Sequence, residues 1–545
     1  MSITPAKADG HLWACARNSR QGMTVPAFQG RDGIINMKTT RNRLLKKSLD
    51  LHRYLTWIGA IGLALFIASA LTHPLMIWTG PMPATFTPPD MTLSAETVPA
   101  VRQTLARHNI REAAIVKLVP GETTPLLQVS TTLTGPKRYF EPSSGDEIIG
   151  QDEAQAIWLA RYYSGLKDTA ITGIGLQSEF DNGYPWVNRL LPVYKIDFDT
   201  PDGKSIYVHT ETGAMASYSN NYKSVLQSIC QLFHTWSWLD NLEILRLAAL
   251  IVMLLSIFGL LTGGIGLLLL MKKRRIAQKS RRFHRYLAYG ISLPLFASLI
   301  SGSYHLVASS FEDSSRSGIH LQTPLLLDQP FFTAGKNWEE AYRGVKFNAM
   351  SLVHGPDDGL YYRLGIAQDI KQGGGHGIHG GAHAHHGNGQ NERFDGMPSE
   401  RSSIYISVNS QTEKALNDHD QVLFYARTLL NKPADTQARA TLITRFGPEY
   451  DFRNKRLPVW QVIFNDQPED ILLIDPVSGI LVERMATSSL IERYSFSWLH
   501  KWDFMVPFTG RMGRDGLVML FLGSLFILLC MGIYLKLKST FKRTG

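Results

Sequence analysis

Four long apolar blocks, Tyr54–Trp78, Ile244–Met271, Tyr286–Val307 and Leu517–Leu535, divide this 545-residue chain. Each is long enough to cross a bilayer as a helix, which takes about 20 predominantly apolar residues. A segment in lipid must satisfy every backbone N–H and C=O internally, so helices are the available solution for blocks of this kind. "KTTRNRLLKK" precedes the first block, "KKRRIAQKSRR" joins the second to the third, and "KLKSTFKR" follows the fourth. The excess of positive charge on cytoplasmic flanks then places both termini inside and two large loops outside. The net charge of +10 reflects this topology and lends no support to a nucleic-acid partner.

The resulting division is a cytoplasmic segment 1–50, spans at 51–79, 244–271, 285–307 and 516–537, and a basic loop 272–284. External domains cover 80–243 and 308–515, and a tail covers 538–545. The small-residue triplet Ala68-Ser69-Ala70 in the first block resembles a signal-peptide cleavage site. The apolar run continues past it, however, and an internal block mirrors it, so the segment reads as a retained span. Met37, directly before the basic run, is the expected start. Cys15, Cys230 and Cys530 fall in three different parts of this topology, which excludes a disulfide framework.

The chain is an internal repeat. "LHRYLTW" (Leu51–Trp57) recurs as "FHRYLAY" (Phe283–Tyr289), and His52 and His73 recur with the same spacing as His284 and His305. The external segments align at a longer offset: "QAIWLARYY" on "QVLFYARTL", "LPVYKIDF" on "LPVWQVIF", Gly213 on Gly479, His234 on His500 and Trp236 on Trp502. Each half therefore reads as helix, external domain, His-x-Trp, helix. Much of the difference in offset is assigned to "KQGGGHGIHGGAHAHHGNGQ", a flexible insertion within residues 371–392 with no apolar periodicity.

Within each external segment a helix is expected before a small sheet. Asp152-Glu153 and Asp418 are candidate caps for these helices. Tyr194, Ile196 and Phe198 alternate with polar residues, and "TPDG" then marks a tight turn into "KSIYVHT".

This helix followed by "PVYKIDFDTPDGKSIYVHTETGAM" resembles a PepSY domain, whose second hairpin ends in a D-x-x-T-G-type turn. His209 takes the Asp position in the first copy and Asp475 in the second. With "LHRYLTWIGAIGLALFIASALTHPL" in front and "WLHKWDFMVPFTGRMGRDGLVMLFLGSLFILLCMGIYL" behind, the chain is similar to PepSY-associated transmembrane proteins from about residue 45 to 540. The fold class this implies is a membrane α-helical protein with four transmembrane helices in two pseudo-symmetric halves and two periplasmic α+β PepSY-like domains. Members of that family include di-haem ferric-siderophore reductases of the bacterial inner membrane and iron-uptake-linked membrane proteins.

The resemblance gives the six paired histidines an expected role. A histidine in a bilayer is costly and usually has a partner in the bundle interior, although His52 and His284 can also be read as interfacial residues. Haem b takes two axial nitrogens from opposite sides, and an internal repeat brings equivalent residues together across its pseudo-two-fold axis. On that logic His52 pairs with His284 near the cytoplasmic face, and His73 with His305 near the outer face. The two levels are separated by about 31 Å of helix. His234 and His500 either sit in an aromatic belt with Trp236 and Trp502, ligate the outer haem in place of His73 or His305, contact its propionates, or hold a third haem. His376, His379, His383, His385 and His386 form a separate tract, read as a solvated linker with weak, accessory affinity for Ni, Cu or Zn.

The sequence contains no Walker loop, no GxGxxG after a strand, no HExxH and no CxxC, so electrons are expected from a separate donor. The resulting expectation is an inner-membrane protein, in contact with membrane lipid, that holds two haem b groups. It takes electrons from a quinol or a cytosolic flavoprotein and reduces a periplasmic ferric siderophore or other metal chelate. The rival readings are a haem-free siderophore or iron permease component and a PepSY-type regulatory, peptide-binding membrane protein.

Overall fold

The structure, a computed structural model, describes residues 30–86, 88–92, 97–271, 278–311, 325–326, 344–357, 359–366, 403–408 and 413–544. The His-rich insertion 371–392, Cys15 and residues 272–277 of the basic loop lie outside these residues.

Ten helices are numbered along the described chain. They are α1 (Gly30–Tyr54), α2 (Thr56–Thr79), α3 (Thr97–Arg107), α4 (Gln151–Ser164), α5 (Asn221–Cys230), α6 (Glu243–Leu270), α7 (Lys279–Phe311), α8 (Asp418–Leu429), α9 (Ser489–Ser495) and α10 (Val506–Thr544). Four helical segments are long and apolar enough to cross a membrane: Thr56–Thr79, Glu243–Leu270, Lys279–Ala308 and Asp503–Thr540. In the bundle they form, α2 packs on α6 and α10, and α7 closes the ring against α6 and α10. Ala60, Ile67, Ile291, Leu525 and Leu529 fill its centre.

A further helix precedes the first apolar one. Residues 30–54, read from sequence as mostly cytoplasmic segment, continue the helix N-terminally and lie along α6. There Arg41 donates from Nη2 to the Leu270 carbonyl at 2.7 Å, placing a cation on the C-terminal end of α6. The close approach of α1 to α6 depends on glycine: a Cβ on Gly263 would lie 2.9 Å from the His52 amide nitrogen and 3.0 Å from the Ser48 carbonyl oxygen. Gly263→Leu is expected to push α1 off α6 at a cost of about 1–3 kcal/mol, measurable as a lowered unfolding midpoint in detergent.

Beside the bundle stand three antiparallel layers. The first small sheet runs β6 (Ile171–Gln177), β7 (Val193–Phe198), β8 (Ser205–His209), β9 (Ala214–Ser219), and the second β15 (Ala438–Ile443), β16 (Val459–Phe464), β17 (Gln467–Ile474), β18 (Leu481–Ala486). α4 packs on the first, burying Leu159 against Ile196 and Val208, and α8 packs on the second, burying Val422 against Val462 and Leu472. The "TPDG" segment turns as expected, with Gly203 at φ +62°.

The third layer belongs to both halves. Its order is β14 (Glu413–Lys414), β13 (Ser403–Ser407), β12 (Leu360–Ile366), β11 (Lys346–His354), β3 (Ile115–Val119), β4 (Leu126–Ser130), β5 (Arg138–Phe140), with β1 (Met91–Thr92) also on β11. β11 pairs with β3 through Met350 opposite Leu118 and Ser351 opposite Lys117, so one sheet runs across the pseudo-two-fold junction. A short pair, β2 (Glu112–Ala113) with β10 (Leu325–Leu326), links the same two segments.

The repeat extends to side-chain roles. Gln155 donates to the Pro120 carbonyl and Gln421 to the His354 carbonyl, and Tyr139 and Tyr405 each donate a hydroxyl to the aspartate that opens the following helix. These aspartates are not the caps expected from sequence. Gly150 precedes α4 without a side-chain cap, and Asn417 caps α8 by accepting from the Asp420 amide. Asp152 and Asp418 instead turn inward, where buried donors claim them. Asp418 takes two hydrogen bonds from Arg363, both at 2.8 Å. Burial alone would raise its pKa, but Arg363 brings it down to about 2.

Candidate functional site: histidines in the bundle

The chain re-enters the bundle once in each half. Asn220 caps α5 by accepting from the Lys223 amide at 2.9 Å. α5 then widens into a π-helical turn, Gln231–Thr235, that packs on α2; in the second half α9 widens into Phe496–His500, which packs on α7. Each turn is followed by a tryptophan in the left-handed region, Trp236 at φ +54° directly and Trp502 at φ +59° after Lys501. A bulky residue there is strained, and π-turns concentrate at functional positions. Both features recur at equivalent points of the repeat, and each re-entrant turn carries one histidine, His234 in the first half and His500 in the second.

Their ring centroids lie 6.2 Å apart with planes at 72°, a T-shaped pair. Two imidazoles binding opposite sides of one metal at about 2.0 Å have centroids about 6 Å apart. The outward nitrogen of each ring is occupied. His500 Nδ1 donates to the Ser298 carbonyl at 3.1 Å, which assigns its lone pair to Nε2. His234 Nδ1 lies 3.0 Å from Ser69 Oγ, and Ser69 already donates its one hydroxyl proton to the Phe66 carbonyl at 3.0 Å. With the hydroxyl proton on the Phe66 carbonyl the serine can accept from the imidazole, an arrangement that puts the His234 lone pair on Nε2. Such outward Nδ1–H bonds orient metal-ligating histidines and fix their tautomer. Gly302 leaves room for the arrangement, since a Cβ there would lie 3.1 Å from His500 Cε1 and Nδ1.

The other two histidines at this end lie beside the pair. His305 Nδ1 is 2.5 Å from Glu492 Oε1, and its ring stacks on Phe496 at 4.1 Å; Phe496 in turn stacks on His500 at 4.8 Å. His73 is set among Lys501, Arg514, Asp503 and Asp515 and, with His305, is near enough to His234 for their charges to interact. The sequence pairs His73 with His305 at this end and sets His234 and His500 at or above the outer interface. In the structure the latter two sit at the level of Ser69 and Ser298, inside the helical bundle. The period of the helices shows which face a residue occupies, whereas the re-entrant turns depend on tertiary packing of α5 on α2 and α9 on α7.

At the opposite end His52 Nδ1 donates to the Leu260 carbonyl at 3.0 Å, again leaving Nε2 as the lone-pair nitrogen, and Gly264 opens space beside the ring. His284 lies within electrostatic reach of His52. Its Nδ1 is buried beside the Leu528 carbonyl without a hydrogen bond of normal geometry. A Cβ on Gly532 would lie 3.4 Å from its Cε1.

Among the described residues, no group of three or more His, Cys, Asp or Glu converges as a bare metal ion would require. Two imidazoles meet the protein's share for an iron whose other four ligands come from a porphyrin. The tract containing His376, His379, His383, His385 and His386 lies outside the described residues. Comparison with models of protein families, with curated proteins and with solved structures yields no match to this chain.

Proposed function

We propose that this chain is a haem b membrane protein that moves electrons from a donor on one side, a quinol or a flavoprotein, to a ferric chelate on the side of the sheets. The observation that carries the reading is the His234–His500 pair, with ring centroids 6.2 Å apart and each Nδ1 engaged by a bundle residue, Ser69 or Ser298. His234 and His500 would hold the iron at the sheet end, and His52 and His284 at the other. Bound haem would supply reversible one-electron transfer, and reduction to Fe(II) weakens capture by hard oxygen ligands of the chelate.

The chain's own groups do the positioning. Ser69 and the Ser298 carbonyl hold the imidazoles in the ligating tautomer. Phe66, edge-on to His234 at 5.6 Å, and Phe496, stacked on His500, limit ring rotation and keep water from the coordinating nitrogens. Glu492 anchors His305 through Nδ1 beside the pair.

Protein purified in detergent from haem-replete cells is expected to be red, with a Soret band and the α-band of reduced bis-histidine b haem. His52→Ala and His284→Ala should each lose the same haem, because one axial ligand rarely holds it. Colourless protein without a pyridine-haemochrome signal would overturn the reading and favour a haem-free permease component. Loss of different haems from the two variants would break the pairing.

A further inference from the structure

A run of cations leads from the junction of the two halves to the outer histidine pair. At the junction the turns Trp186–Asn188 and Phe452–Asn454 meet, equivalent segments of the repeat. Trp186 is 52% exposed, and the guanidinium carbons of Arg189 and Arg453 lie over its ring at 5.0 and 6.0 Å. Next comes Lys501, close enough to Arg453 and Asp451 for their charges to interact. Its ammonium nitrogen is 5.0 Å from the centre of the Phe496 ring, the ring that stacks between His305 and His500.

The local carboxylates are already taken. Glu483 pairs with both Arg189 at 3.0 Å and Arg493 at 2.6 Å, Asp451 pairs with Arg453 at 3.0 Å, and Asp503 pairs with Arg514. Lys501 has no hydrogen-bond acceptor among the described residues, although Asp451 and Asp503 are near enough to be felt. Arg189, with its side chain 10% exposed, and Arg453 each bury an Nε–H that no acceptor meets. Those Nε–H groups lie out of reach of solvent, so an incoming anion would meet the outer edges of the guanidinium groups, whose planar forks suit carboxylate-like oxygens. An exposed indole beside them adds a face for a flat, aromatic or conjugated group.

We propose that Lys501, Arg453 and Arg189, with the ring of Trp186, form an anion-docking site that takes the carboxylate or catecholate oxygens of the acceptor chelate and seats it beside the His234–His500 pair. The acceptor's identity rests on the reductase reading; the anion binding does not.

The test uses gallium chelates, which present the same charge as ferric ones but accept no electron. Calorimetric titration of the full chain in detergent with Ga(III)-citrate, and with a Ga(III) tris-catecholate, is expected to show binding that weakens as salt rises. The double substitution Lys501→Gln/Arg453→Gln should weaken it about tenfold or more, while Lys501→Arg retains it. An uncharged Ga(III) trihydroxamate should bind no better to wild type than to the double variant. Haem content, read by pyridine haemochrome, should be unchanged in all variants. Equal affinity in wild type and double variant would overturn the proposal. So would loss of haem with gallium binding intact, since the cations would then grip the cofactor's own carboxylates. Gallium binding by a preparation that contains no haem would sustain the anion site while removing the reductase reading.

Discussion

His500→Ala is expected to lose the haem at the sheet end, about half of the total pyridine-haemochrome signal, while the bundle stays folded. The ring's contacts are few and local: Ser298, Gly302, Phe496 and His234. Truncation therefore removes a ligand and leaves a space without disturbing the central packing of Ala60, Ile67 and Ile291. His234→Ala should remove the same haem. His73→Ala and His305→Ala should instead retain it and shift its midpoint potential, because the first sits among charges and the second reaches the pair through Phe496 and Glu492. Optical redox titration of the four variants measures this directly. Haem loss from His73→Ala and His305→Ala, with retention in His234→Ala and His500→Ala, would return the ligand role to the pair favoured by sequence.

Arg456→Ala is expected to be the most damaging single change outside the bundle. Arg456 donates to Glu211 at 2.6 Å and to Asp475 at 2.8 Å, and Glu211 also accepts from Lys117 at 2.5 Å. All four side chains are buried: Lys117 lies on the central sheet, Glu211 and Asp475 in the turns after β8 and β17, and Arg456 in the loop before β16. Removing the arginine strands Asp475 and half of Glu211 without a counter-charge, a change that costs about 3–5 kcal/mol in such settings. Chemical unfolding of the full chain, followed by tryptophan fluorescence, should show the lowered midpoint.

The same cluster predicts acid lability. Burial would raise the Glu211 pKa, but Arg456 and then Lys117 hold it well below the usual carboxylate range. A carboxylate depressed on folding contributes stability above its unfolded pKa of about 4.3, and that contribution is lost as pH falls through the folded value. His209 is driven well below its usual value by burial, against the pull of Glu211. It therefore costs stability from about pH 6.5 downward, where the unfolded chain binds the proton first. His209→Asn should flatten the pH 7 to 5 part of the stability profile, and an unchanged slope would exclude His209 as its source.

His209 also shows how a repeat tolerates substitution. In the second half Asp475 closes its turn by accepting from the Val477 amide at 2.9 Å and from the Ser478 hydroxyl at 2.7 Å. In the first, His209 Nδ1 takes the equivalent place with Thr212, 3.0 Å from its hydroxyl oxygen and 3.3 Å from its amide. Gly213 and Gly479, at φ +63° and +70°, serve both turns. The turn needs an acceptor at that point and is indifferent to which residue supplies it.

What could be read along the chain was whatever depends on local pattern. Four apolar blocks specify four helices because lipid-compatible length and composition are properties of consecutive residues. Helix-then-hairpin order follows from apolar period and turn residues, and the pairing of halves follows from motifs matched in the same order along both halves. Which imidazoles meet was decided elsewhere. The approach of His234 and His500 depends on two re-entrant turns whose π-geometry and left-handed tryptophans exist only because α5 and α9 pack against α2 and α7. The sheet shared by β3 and β11, and the buried ions that join Lys117, Glu211, Arg456 and Asp475, likewise unite residues far apart in sequence. Their partners are chosen by burial, which penalises an unpaired charge or an unmet backbone group wherever the chain brings one inside.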